Sequence, residues 1–308
     1  MDFGMFMEKA EKILDYMPEE YKDSSVSIRE ECKVNCVKRA LSVSAPDREN
    51  IAATIYIEDL YRCYQECGDI DAVFSQAAKK LVKSLENLPE QAINFDYSKF
   101  RENVIMVLVN SSENEEMLQN VPSRPFHDLS IVFRWVLSYD DEGIRSVLVS
   151  NELARLAGIS AAELFLCAVK NTKRLFPVKT YIMDQSLLEK EKSREPGEPC
   201  SDGGHMWVIS NEYGTNGAVS VFYEENLYNL AEREGTDLYV IPSSVHEMLA
   251  VSVDTCTPQR LSELIWYVNQ CHVVPEDRLS NSVYYYNKNL RALMLLADSK
   301  KKLVYKSE

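Results

Sequence analysis

Serine hydroxyls, an imidazole and a carboxylate crowd into Pro242-Ser-Ser-Val-His-Glu247. Those groups are the parts of a hydrolytic site: a hydroxyl to attack, a base to take its proton and a carboxylate to orient the base. Ser243, Ser244, His246 and Glu247 are therefore candidate catalytic residues. A strand over 245–253 puts Glu247 on the face of Val245, Leu249, Val251 and Val253, and His246 with Met248, Ala250 and Ser252. The two side chains then point apart unless a bulge re-aims one of them. His127-Asp128 stands before a second strand-like run and supplies another imidazole and carboxylate, so the full candidate set is Ser243, Ser244, His246, Glu247, His127 and Asp128. The alternative for all six is structural: the serines close a turn, and the charged groups satisfy buried polar neighbours.

Other chemistry finds little support. His-Glu-x-x-His, Gly-x-Ser-x-Gly and glycine-rich phosphate loops are all missing from the sequence, which argues against a zincin, an elbow-type hydrolase or a loop-bound nucleotide. The pairs Cys32/Cys36 and Cys63/Cys67 share a spacing, but zinc ribbons favour two intervening residues and cysteine also serves as a small core hydrophobe. No metal centre and no cofactor are expected. Tyr284-Tyr-Tyr286 with Tyr223, Tyr228 and Tyr239 forms either a stacking surface or core with wet hydroxyls.

The elements that position these residues follow from periodicity. Apolar positions predict a helix over 3–17. Alternation predicts a hairpin from Ser25–Cys32 and Val37–Ser44, then a strand over 51–57. A helical tract over 58–85 breaks at Gly68-Asp69. Helices are predicted over 99–109 and 114–118. A hairpin over 129–137 and 144–149 follows, then a short helix capped by Asn151, and a longer one whose Ser160 and Glu163 form a capping box. Residues 189–204 read as a polar loop, 206–210 and 218–223 as strands, and 227–233 as a helix ended by Gly235. Pro258 sits at the first position of a helix capped by Thr257. For 282–286 strand and helix both remain open. The sum is an α+β chain, with a mixed, largely antiparallel sheet and flanking helices, in two subdomains: 1–125 and 126–308.

Composition bounds the function. At 308 residues, 45% hydrophobic and 27% charged, the chain is globular. A net charge of −14, spread over both halves, disfavours nucleic acid and anionic membrane as partners. With eight cysteines, no basic n-region and no long apolar run, reduced thiols in the cytoplasm are expected.

Thr54-Ile-Tyr-Ile57, Leu108-Val-Asn110, Val121-Pro122, Asp128-Leu129, Asn171-Thr172, Asn216-Gly-Ala218, Pro242-Ser-Ser-Val-His-Glu247, Val268-Asn269 and Leu279-Ser280 with Val283-Tyr284-Tyr285 occur in that order. This pattern resembles an uncharacterised domain-of-unknown-function family of anaerobic Gram-positive bacteria, with Pro-Ser-Ser-x-His-Glu its most specific piece. The resemblance implies a bacterial cytoplasmic protein and carries no reaction. The expectation is a non-catalytic binding or regulatory protein acting through another protein. The alternative is a small-molecule hydrolase with a cleft around Ser243, His246, Glu247, His127 and Asp128.

Overall fold

A computed structural model describes residues 1–44, 52–87, 97–140, 143–183 and 205–296. The expected polar loop 189–204 lies outside them. The chain divides into two compact units, residues 1–96 and 97–308.

In the first unit, β1 (Ser25–Lys33) and β2 (Cys36–Ser44) form the expected hairpin, and β3 (Ala53–Tyr56) adds to β2. The helices are α1 (Phe3–Ala10), α2 (Ile57–Cys67) and α3 (Ile70–Glu86). The helix expected over 3–17 stops at Ala10 and resumes as a 3-10 turn at Ile13. Gly68, at φ 73°, ends α2 in the left-handed conformation glycine adopts without strain. The Asp69 carboxylate then accepts from Ala72 N–H to start α3. Phe6, Ile13, Leu41, Val43, Ile57, Phe74, Ala77 and Leu81 make one core, with Phe6 stacked on Phe74 at 5.0 Å.

The second unit holds two sheets. The short α4 (Phe100–Asn103) leads into β4 (Val104–Asn110), and α5 (Glu115–Gln119) into β5 (Ser123–Phe126). β6 (Leu129–Asp140) pairs with β4, β5 and β7 (Gly143–Leu148). The helix expected over 99–109 is thus mostly strand. Val104-Ile-Met-Val-Leu-Val109 is buried on both faces, so no alternation betrays the strand, and its β-branched residues favour extension. The boundary between the compact units falls at 96/97, ahead of β4, which is in register with β6 from Val104↔Trp135 to Asn110↔Leu129. The helices α6 (Asn151–Leu156) and α7 (Ala161–Leu175) follow, with Ser150 capping the first and the Ser160/Glu163 capping box opening the second.

The six-stranded sheet has the order β13-β12-β10-β11-β9-β8. Its strands are β8 (Val178–Ile182), β9 (Met206–Asn211), β10 (Leu238–Ser244), β11 (Glu247–Ser252), β12 (Tyr284–Asn287) and β13 (Ala292–Leu295). Between β9 and β10 come a 3-10 segment, Gly217–Phe222, where a strand was expected, and α8 (Glu224–Glu234). An added Cβ on Gly217 would sit 2.3 Å from Ser210 Oγ and 2.5 Å from the His246 carbonyl, so the chain turns tightly here and does not extend. α9 (Pro258–Cys271) packs Leu261 and Ile265 against Ile241 and Val251 of the sheet and Val283 just before β12. Every strand pairing among the described residues is antiparallel, and the chain is α+β.

Candidate functional site

β10 does not end at Pro242. It runs through Ser243 and Ser244, with a bulge between Pro242 and Ser244, and the turn to β11 is Val245-His246. Proline is tolerated because β10 pairs with β12 only over Leu238–Val240, so no ladder partner awaits its missing N–H on that side. This corrects the alternating-face expectation. His246 sits in the turn and Glu247 is the first residue of β11.

The tip is a knot of short-range and long-range bonds. Ser243 Oγ donates to Glu247 Oε1 at 3.1 Å, and Ser244 Oγ accepts from His246 N–H at 3.1 Å. The imidazole Nδ1 accepts from Asn216 N–H at 3.1 Å, which leaves the ring proton on Nε2, 3.3 Å from Asp277 Oδ1. The backbone is engaged as well. Val245 N–H donates to the Asp277 carbonyl at 2.8 Å, and the His246 carbonyl accepts from Ser210 Oγ at 2.7 Å. Neither serine hydroxyl bonds to the imidazole, so no serine–histidine relay is set up.

His127 and Asp128 form the two-residue connection between β5 and β6, with His127 left-handed at φ 59°. The Asp128 carboxylate accepts three hydroxyls, from Ser280, Ser282 (2.8 Å) and Tyr284. Two asparagines hold the 279–281 backbone that delivers these serines. Asn110 at the end of β4 donates to the Leu279 carbonyl at 2.8 Å, and Asn269 on α9 donates to the Ser280 carbonyl at 3.1 Å. Burial, then the Asp128 charge, push the Tyr284 phenol well above the usual tyrosine range, so it stays a donor. Burial lowers the pKa of His127 against an opposing pull from Asp128.

The six candidates therefore fall into two networks. Among the described residues, no hydrogen bond or ion pair joins the Ser243–Glu247 tip to His127 or Asp128. No cluster of three or more histidine, cysteine or acidic side chains is arranged there to hold a metal ion. Cys63 and Cys67 are exposed on α2. The side chain of Cys32 lies outside the description.

A model described as a family of unknown function, DUF5688, matches residues 3–288. The chain belongs to the DUF5688 family. No curated protein and no solved structure matches it significantly.

In this DUF5688 protein, several residues outside the candidate set prove central to the two networks: Asn110, Ser210, Asn216, Asn269, Asp277, Ser280 and Ser282. For Asn269, Ser210 and Ser280, which are buried, the signal in the sequence was polarity inside apolar surroundings; Asn216, Asp277 and Ser282 lie in polar runs and gave none. A related case is Asn171-Thr172 on α7. Thr172 Oγ1 accepts from Met106 N–H at 2.8 Å, while Asn171 donates to the Arg101 and Val104 carbonyls. β4 has β6 on one side only, so Thr172 covers a strand-edge N–H that would otherwise be orphaned. The tyrosine run is also tied down: Tyr285 donates to Asp237 and Tyr286 to Glu224, which Arg291 also grips. No described helix is long and apolar enough to cross a membrane.

Proposed function

We propose that this DUF5688 protein is a non-catalytic binding or regulatory protein of the bacterial cytoplasm, acting through another protein. The observation that carries the reading is the occupation of its candidate catalytic groups. Ser243, Ser244, His246, Glu247 and Asp128 all hold backbone or side chains of the fold, and none of the serine hydroxyls is within a bond of the imidazole. A free hydroxyl beside a base is what the serine version of the hydrolytic alternative requires. The outward side of α9 supports the binding reading: Leu264, Trp266, Tyr267 and, just beyond it, Val274 are exposed, and exposed aromatic residues are common anchors at protein interfaces.

The test is turnover of activated esters, phosphoesters and amides by wild type and by His246→Ala. The reading expects no His246-dependent hydrolysis. Turnover lost in His246→Ala, with the fold retained, would replace it with the hydrolase.

A further inference from the structure

The imidazole of His246 faces two partners that prefer different protonation states. Asn216 N–H needs an acceptor and so selects the neutral ring. The Asp277 carboxylate on the other side, 3.3 Å from Nε2, accepts a hydrogen bond from either form and attracts the charged one.

The segment on the Asn216 side is conformationally demanding. Asn216 is left-handed at φ 52°, outside the range most L residues adopt, and Gly217 behind it has no room for a Cβ. Within this segment, Asn211 binds the Thr215 carbonyl and Tyr213 N–H, and Ala218 N–H reaches the Val245 carbonyl. The Asn216 amide itself is held by the ring.

We propose that His246 is a proton-operated latch on the Asn211–Gly217 turn. Taking up a second proton puts an N–H at Nδ1, facing the Asn216 N–H. A hydrogen bond becomes a contact between two donors, and the turn is released at Asn216. The imidazolium remains against Asp277, so the hairpin tip keeps its place on the 275–277 turn, where Val245 N–H is independently bound to the Asp277 carbonyl. The charged or titratable groups on the elements around the ring are Asp277, Glu276 and Arg278 on that turn, Glu212 and Tyr213 after β9, Glu247 on β11, and Lys179 and Tyr181 on β8. Asp277 is the one described at ion-pair distance from the ring. Glu247 is turned to Ser243, and its charge is felt at Tyr181.

The experiment is a series of ¹H–¹⁵N spectra of the whole chain between pH 7.5 and 5.0, with the His246 ring followed by its Cε1 proton. The proposal expects the Asn216 amide proton to move upfield in step with the His246 ring, while the Val245 amide stays in place. In His246→Asn, whose side-chain oxygen replaces Nδ1 as an acceptor that does not titrate in this range, the Asn216 amide should stay fixed. An Asn216 amide that does not move in the wild type would overturn the latch, as would one that moves equally in His246→Asn. If that variant fails to fold, the wild-type comparison decides: matching midpoints for the ring and the Asn216 amide support the latch, and differing midpoints contradict it.

Discussion

The two polar networks of the 97–308 unit use similar residue types and are held in opposite ways. At Asp128 a single carboxylate collects three hydroxyl donors from one stretch of chain some 150 positions away, and two asparagines fix that stretch from β4 and α9. At the hairpin tip, a half-exposed ring touches two separate segments with one bond each, and much of the holding is done by backbone groups of Val245 and His246. The difference teaches that a charged residue's role is set by how many partners depend on it. Three donors lose their acceptor if Asp128 goes, whereas His246 can be lost with the tip still anchored.

The comparison can be broken most forcefully at Asp128. Asp128→Ala leaves three hydroxyls without their acceptor and should cost about 3 kcal/mol, read as a lower urea midpoint. A loss no larger than that of His246→Ala would erase the distinction. Next comes Gly217→Ala, whose Cβ meets backbone at 2.5 Å and 2.8 Å and should cost about 2 kcal/mol by overpacking. Thr172→Val keeps the shape but orphans Met106 N–H, for a loss of about 1.5 kcal/mol in the same assay. His246→Ala should cost roughly 1 kcal/mol, as expected for one net hydrogen bond at a partly solvated position.

The smallest effect sharpens the contrast from outside this unit. Tyr16 donates to Asp71 at 2.6 Å, a surface counterpart of Tyr284 and Asp128. The bond to Asp71, with some burial, pushes the Tyr16 phenol up to about 12. A folded-state pKa raised in this way gives stability that is full below the ordinary tyrosine value near 10 and is lost as pH rises toward 12. Tyr16→Phe should therefore lie slightly below wild type at pH 8 and close that gap by pH 12, in denaturation curves at the two pH values.

Local chemistry made much of the fold legible. The β1–β2 hairpin alternates along its sequence, Ser160 and Glu163 announce their capping box, and Pro258 after Thr257 marks a helix start. Strand β4 was not legible, because a run buried on both faces carries no period, and helix and strand then look alike. The Gly217–Phe222 segment failed for a different reason: its conformation answers to a Ser210 side chain and a His246 carbonyl that sequence order does not place nearby. The candidate residues at the hairpin tip were visible as a cluster, but their roles were not. Asp277 and Asn216 reach His246 from 31 and 30 positions away, and Ser282 reaches Asp128 from 154. Local patterning carries no trace of such pairings.

The central claim is that the Asp128 carboxylate holds the fold. It is tested most directly by the thermal midpoint of Asp128→Asn beside the wild type. Asparagine keeps the size but gives up the charge and one of the acceptor oxygens, and the account predicts a fall of about 3–6 °C, the shift expected for a loss near 1.5 kcal/mol in a unit of this size. A midpoint equal to or above that of the wild type would contradict it. It would place Asp128 among residues kept at a cost to stability, as functional groups are.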